Sequence, residues 1–397
     1  MSRLMSHTFR FSQVACFFAG MALFAARGAA PADAPSSGGI AKLLQPFVDS
    51  NSLPGAVILV ADKDKILDLE AVGYADLASK KPMTTDSYFW IASMSKSITA
   101  AAVMMLVDEG KLSIDDPVEK YLPEFANRMV VDPKDPTHTP HPANHPILIR
   151  EILSHTSGLP NHTQTPGPHK DDIQTLEERA HFYSQQTLES QPGTAYAYTN
   201  LGPNLAGRIV EIVSGMPFQQ FLQTRLFDPL GMTETTFVPS NDELARLASA
   251  YQAGPDKKSF LPANEMSFTY PFSDPKRQPM PAGGLFSTAT DISKFCQMLL
   301  NNGTFHGKQY LSPEAIHQMT TDRAPQGGKD HYGLGFGLGP NGVYFHAGGY
   351  KTYMEIDPKT GRTWVYMVQY FGHDWPNDGN KVMNVVKAAA AKIPASP

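Results

Sequence analysis

The spacing of apolar residues predicts a helix, two strands and a second, buried helix between residues 40 and 110. Apolar residues recur at helical spacing over 40–48, whereas residues 55–61 form a continuous apolar run typical of a buried strand. Residues 66–74 predict a second strand. Residues 98–107 are strongly apolar and contain neither Gly nor Pro, so they predict a buried helix that Gly110 ends.

The rest of the chain divides into a helical middle and a C-terminal part rich in strands. Residues 132–300 are rich in proline and loops, with helices predicted near 148–154, 173–188, 202–214 and 291–301. Strands are predicted over 334–338, 343–346, 352–356 and 363–369, and a closing helix over 381–392.

Strands at both ends of the chain, with helices between them, predict an α/β (α+β) fold. An antiparallel sheet built from both termini would be flanked by helices and interrupted by a mostly helical inserted region. We expect this fold to form a single domain over residues 40–393.

The first thirty residues have the order of a secretory signal peptide. Two arginines precede an uncharged apolar run over 11–26, and small residues follow it at 28–30. The run is shorter than the about 20 apolar residues that a spanning helix needs. We therefore predict a signal peptide over 1–30, a linker over 31–39, and a secreted or periplasmic protein with no stable membrane span after cleavage. An uncleaved anchor is the alternative.

Composition narrows the class of partner. The chain has 397 residues, is 42% hydrophobic and carries a formal net charge of −5 without any basic run. Those values favour a globular protein with a large core and argue against a nucleic-acid partner. The two cysteines, Cys16 and Cys296, exclude a disulfide framework. Cys296 has no His or acid near it in sequence, which favours a core position over a nucleophilic one.

The sequence Ser93-Met-Ser-Lys96 places a hydroxyl and an amine about one helical turn apart, at the start of the predicted buried helix. A serine hydroxyl becomes a good nucleophile when a base takes its proton, and a buried, neutral lysine is such a base. The alternative is a helix N-terminal serine with a surface lysine one turn on. A second match, residues 273–276, lies in a proline-rich loop and is interpreted as accidental.

Two further short motifs carry candidate chemistry. Tyr198-Thr-Asn200 offers a phenol that can move a proton and an amide that can hold a substrate carbonyl, although Asn200 could equally cap the next helix. His346-Ala-Gly348-Gly349 ends a predicted strand, and its glycines allow another backbone or a ligand to approach closely. A bulge beside a core histidine is the alternative there.

In this order along the chain, the three motifs resemble those of the serine β-lactamase and penicillin-binding superfamily. The closer similarity is to its class C-related serine hydrolases, a group of esterases and D-peptidases like peptidase family S12. Residues 153–160, 192–193 and 281–287 also resemble segments of that family. The resemblance covers about residues 40 to 390 and implies a β-lactamase/transpeptidase-like fold.

The resemblance implies a role for each motif residue. Ser93 would be acylated, and Lys96 and Tyr198 would handle protons. The backbone N–H groups of Ser93 and Gly349 would form the oxyanion hole, and Asn200 would contact the substrate.

The third motif departs from the family pattern, since His346 stands where many β-lactamases have lysine. Ala347 follows, where some D-peptidase relatives have threonine. A typical histidine is mostly uncharged at neutral pH, so the sequence predicts weak recognition of carboxylate-bearing β-lactams. Gly348 would line the substrate site with His346. A literal Lys-Thr-Gly at 359–361 follows Asp-Pro between two apolar stretches and is interpreted as a hairpin turn.

These features favour an exported serine hydrolase that forms an acyl-enzyme at Ser93 with an ester, a β-lactam or a D-amino-acid peptide. A non-catalytic protein that binds cell-wall peptides on the same scaffold is the alternative.

Four histidines lie close together in the sequence, at His138, His141, His145 and His155. Prolines interrupt this segment, which favours a solvated loop over a zinc site, and His155 is interpreted as structural. No metal or cofactor is predicted, and the expected partner is a small-molecule or peptide substrate.

Overall fold

An antiparallel sheet joins the two ends of the part of the chain that the structure describes. This structure is a computed structural model, and it describes residues 39–161, 172–263 and 268–394. Seven strands lie side by side in the order β12-β13-β14-β15-β1-β2-β3. They are β1 (Gly55–Asp62), β2 (Ile66–Asp76), β3 (Lys81–Pro82), β12 (Gly337–Leu338), β13 (Tyr344–Ala347), β14 (Tyr353–Asp357) and β15 (Arg362–Met367).

The remaining strands of the described chain are short pairs outside this sheet. They are β4 (Phe89–Trp90) with β9 (Phe286–Ser287), β5 (Met129–Val130) with β6 (His141–Pro142), β7 (Tyr251–Ala253) with β8 (Phe260–Pro262), and β10 (Thr304–Phe305) with β11 (Lys308–Gln309).

The helices of the described chain precede, follow and interrupt the sheet. They are α1 (Ile40–Asp49), α2 (Ser95–Asp108), α3 (Ile149–Leu153), α4 (Leu176–Ser184), α5 (Leu201–Ser214), α6 (Phe218–Leu222), α7 (Asp228–Leu230), α8 (Asn241–Leu244), α9 (Ala289–Leu300), α10 (Pro313–Thr320) and α11 (Val382–Ala390).

Strand β1 holds the N- and C-terminal parts of the sheet together. It pairs with β2 on one side and with β15 on the other, with Val57 opposite Met367. All of its residues are buried, since helix α9 packs on one face and α1 and α11 lie on the other. Burial on both faces explains its unbroken apolar run. The predicted sheet from both termini, with helices between, is confirmed.

Several local predictions are confirmed and one is wrong in extent. The Lys359-Thr-Gly segment is the turn between β14 and β15, where Asp357 Oδ1 accepts the N–H groups of Lys359 and Thr360. The predicted strand over 334–338 is reduced to Gly337–Leu338. Gly335 causes this, because its φ of +75° takes the chain out of the extended region while it packs against the carbonyl of Lys96.

Cys296 lies fully buried in α9, as predicted for a core residue, and burial raises the pKa of its thiol to about 12. The predicted signal peptide and nearly all of the predicted linker lie outside the described residues. None of the helices in the described ranges is long and apolar enough to cross a membrane.

Candidate active site

Ser93 lies in a strained turn that joins strand β4 to helix α2. Strand β4 pairs with β9, and the N–H of Ile91 continues this ladder to the carbonyl of Leu285. Ala92 then adopts a φ of +45°, which is uncommon for a residue with a Cβ, and Ser93 follows in a 3₁₀ turn. The strained turn leaves Ser93 partly exposed, whereas the α2 residues from Ser95 to Leu106 are buried.

Lys96 lies beneath Ser93 with its amine surrounded by oxygen atoms. Its side chain is 1% exposed. Nζ lies 3.0 Å from Ser93 Oγ, 2.8 Å from Asn200 Oδ1 and 2.6 Å from the carbonyl oxygen of Ala282. The sequence prediction that Ser93 and Lys96 project together is therefore met in the structure, although Ser93 precedes the α-helix rather than belonging to it.

The three oxygens around Lys96 can serve either protonation state of its amine. The Asn200 and Ala282 oxygens only accept hydrogen bonds, so they take the two N–H groups of a neutral lysine. The charged amine donates its third N–H to Ser93 Oγ, whereas the lone pair of the neutral amine is left to take the Ser93 proton. Burial lowers the pKa of Lys96 from 10.5 to about 7, so a large share of the amine is neutral near neutral pH.

Tyr198 lies on the other side of Ser93, with its ring centroid 4.8 Å from Lys96 Nζ. Tyr198 is 36% exposed, so part of its surface faces solvent. Burial of the phenol raises its pKa to about 12, and hydrogen bonding with Ser93 opposes that rise. At neutral pH Tyr198 therefore keeps its proton and is equipped to act as a proton donor.

Asn200 occupies the N-cap position of helix α5, but its side chain makes no capping hydrogen bond. Its oxygen instead accepts from Lys96. The capping alternative raised by the sequence is therefore not what this side chain does in the structure. Asn200 is also exposed, so part of its side chain remains accessible to a molecule that binds beside Ser93.

The strand that ends at His346-Ala-Gly-Gly lies against the Ser93 turn. A Cβ on Gly348 would lie 2.5 Å from the carbonyl oxygen of Ile91, so only glycine allows this close approach. The hydroxyl of Thr352 stabilises the same contact, because it donates a hydrogen bond to the Ile91 carbonyl. Gly349 is exposed, and no atom lies within 4 Å of the position that a Cβ would take.

His346 itself is buried beneath this strand end. Its Nδ1–H donates to the carbonyl of Ala347 (2.9 Å), and Nε2 accepts from the hydroxyl of Tyr332 (2.9 Å). Burial lowers the pKa of His346 to about 3, and the nearby charge of Lys96 acts in the same direction. In this conformation the imidazole is neutral and both of its nitrogens are occupied, so it offers no direct contact to a substrate.

Comparison with known proteins identifies the family. The model of the β-lactamase family matches residues 40–386. Over 358 residues, 81% of this chain and 87% of the relative, the sequence is 34% identical to Protein Rv1367c of Mycobacterium tuberculosis. Over 337 residues, 80% and 78%, it is 30% identical to lovastatin esterase of Penicillium rubens. The chain belongs to the β-lactamase family.

Among solved structures, that of EstCE1, a hydrolase with promiscuous acyltransferase activity, matches 88% of this chain and 97% of its own at a TM-score of 0.74 and 24% identity. This likeness shows a shared fold. The predictions of family, fold class and serine hydrolase are confirmed, and the non-catalytic alternative is set aside.

Two contacts of this β-lactamase-family site were not predicted from the sequence. The Ala282 carbonyl that binds Lys96 belongs to the noted Pro-Ala-Gly-Gly segment, but nothing in a residue type marks one backbone carbonyl as a partner. Tyr332, which holds His346, lies in an irregular segment with no motif. His155 was interpreted as structural, and the structure places its ring against Tyr198 with a centroid separation of 4.4 Å.

The depressed pKa of Lys96 predicts the pH dependence of Ser93 reactivity. The rate of labelling by a fluorophosphonate should rise between about pH 5 and about pH 9, with a midpoint near 7, because the neutral amine takes the Ser93 proton. Lys96→Arg keeps a cation but removes the base, and should slow labelling by about 10²–10⁴-fold. Rates measured by intact mass would contradict this role if they were unchanged across that range or in the arginine variant.

Proposed function

We propose that this protein is an exported serine hydrolase that forms an acyl-enzyme at Ser93 and acts on esters. The contact set of Lys96 supports this proposal most directly. A buried amine with two acceptor-only partners has one lone pair left, and the Ser93 hydroxyl lies 3.0 Å from it.

In the proposed reaction, Ser93 Oγ attacks the ester carbonyl while its proton passes to Lys96. The negative charge that develops on the carbonyl oxygen is stabilised by the backbone N–H groups of Ser93 and Gly349. The leaving alkoxide takes a proton from Tyr198, and the proton held by Lys96 restores the phenol. Water then attacks the acyl-enzyme carbonyl, which releases the carboxylic acid and regenerates the Ser93 hydroxyl.

The preference for esters rests on the strand end at residues 346–349. His346 is neutral and engaged on both nitrogens, and the exposed Ala347 carries a methyl group instead of a hydroxyl. This strand end therefore lacks both a cation and a hydroxyl for a substrate carboxylate. The 30% identity to lovastatin esterase over most of both chains also favours an ester substrate.

Substrate comparison tests this proposal. The wild-type enzyme should hydrolyse p-nitrophenyl butyrate with a kcat/KM at least about 10²-fold higher than its kcat/KM for a penicillin. The reason is that the strand end has no cation or hydroxyl to bind the carboxylate of the lactam. Ser93→Ala should lose ester turnover by at least about 10³-fold while keeping the thermal unfolding midpoint. Faster hydrolysis of the penicillin than of the ester would overturn the ester assignment.

A matched variant probes the strand end. Ala347→Thr adds one hydroxyl at an exposed position and should leave ester turnover within about 3-fold of wild type while raising acylation by penicillin. Both rates are measured on the same preparation. If penicillin acylation does not rise, the missing hydroxyl is not what limits lactam recognition.

Export is a separate part of the proposal and depends on residues 1–30. When the full chain is expressed in a bacterial host, osmotic shock should release a protein whose N-terminus follows Ala30, as read by N-terminal sequencing. A variant that begins at residue 31 should stay in the cytoplasm. Recovery of a membrane-bound chain that retains residues 1–30 would support the anchor alternative instead.

A further inference from the structure

We propose that His155 is a positioning residue that holds Tyr198 over Ser93. The proposal rests on the proposed function, in which Tyr198 exchanges a proton with the leaving group. His155 is buried and 1% exposed, so it does not act on the substrate directly but through Tyr198.

His155 binds the chain on both sides of Tyr198. Its carbonyl oxygen accepts the N–H of Ala197 at 2.8 Å, and its ring Nδ1 accepts the N–H of Thr199 at 3.3 Å. The imidazole ring lies against the phenol between these two bonds, with centroids 4.4 Å apart and planes tilted by 39°. One residue therefore fixes the backbone before Tyr198, the backbone after it and one face of its ring.

The conformation of His155 is what allows these contacts to coincide. Its φ is +59°, a left-handed value that is uncommon for a residue with a Cβ. In this conformation the carbonyl and the ring both bind the segment that contains Tyr198. Such a conformation is strained and persists where surrounding contacts over-determine it. The hydrogen bonds to residues 197 and 199 are contacts of this kind.

The ring must be neutral to play this part. Nδ1 accepts from an amide N–H, so the proton of the neutral ring lies on Nε2. Burial lowers the pKa of His155 well below its ordinary range, and the charge of Lys96 adds to this effect. Tyr332 closes the far side of the ring, with its centroid 4.8 Å away. The acceptor at Nδ1 is thus available at neutral pH.

Three substitutions at position 155 separate the acceptor from the volume and from the backbone conformation. His155→Asn keeps an acceptor near the place of Nδ1 and tolerates a positive φ. His155→Gly tolerates the backbone but has no acceptor, and His155→Leu keeps most of the volume but has no acceptor. Ester kcat should fall about 10–100-fold in the glycine and leucine variants and stay within about 5-fold of wild type in the asparagine variant, with KM little changed.

Thr156→Val is the matched control for loss of stability in the same buried loop. Its hydroxyl bonds only to Ser154 Oγ, at 2.9 Å, among the contacts described for it, and does not touch Tyr198. The valine variant should keep wild-type kcat even if its unfolding midpoint falls. Equal losses of activity in Thr156→Val and His155→Leu, at equal loss of stability, would overturn the proposal.

A double-mutant cycle with Tyr198→Phe decides whether His155 acts through the phenol. If it does, His155→Leu should lower kcat by less than about 2-fold in the Tyr198→Phe background, because the group that it positions is already absent. The same full loss in both backgrounds would show a general structural role and overturn the proposal. Loss of the proposed function gives a different signature, since Ser93→Ala would then retain ester turnover.

Discussion

The burial of the Lys96 amine among three oxygen atoms is the constraint on which the rest of this site depends. A charged ammonium in that position is disfavoured by loss of water, and this penalty brings its pKa to about 7. The three oxygens come from the Ser93 turn, the N-terminus of helix α5 and the Ala282 segment. Burial therefore favours the neutral amine, and the three oxygens supply its hydrogen-bond partners from separate parts of the chain.

Much of the surrounding structure serves to keep those parts in place. Thr99 donates to the carbonyl of Pro281, and Asn204 accepts the N–H of Ala282, so α2 and α5 both hold the segment that binds Lys96. Trp90 Nε1 donates to the next carbonyl, that of Gly283. Hydrogen bonds to the carbonyls of the two flanking residues therefore hold the Ala282 carbonyl oxygen 2.6 Å from Lys96 Nζ.

The features that the sequence predicted follow from local patterns, whereas those that it missed depend on the tertiary fold. Strand β1 was predictable because burial on both faces demands an unbroken apolar run, and Ser93 with Lys96 because a helical turn fixes their spacing. The Ala282 carbonyl was not, since every residue has the same backbone oxygen and only the tertiary fold selects one. His155 was visible as a residue but not as a partner of Tyr198, because the two lie 43 positions apart in the chain and no local rule brings them together.

The neutral state of His346 affects the charge near Lys96. A lysine there would place a second cation near Lys96, and like charges disfavour each other. With His346 uncharged, its pKa near 3, burial is what tunes Lys96. In molecules whose Lys96 is neutral, a positive charge forms beside Ser93 when Lys96 takes its proton, at the moment when the carbonyl oxygen becomes negative. A site arranged in this way stabilises the transition state more than an anionic ground state, which suits a substrate that is neutral around its reacting carbonyl.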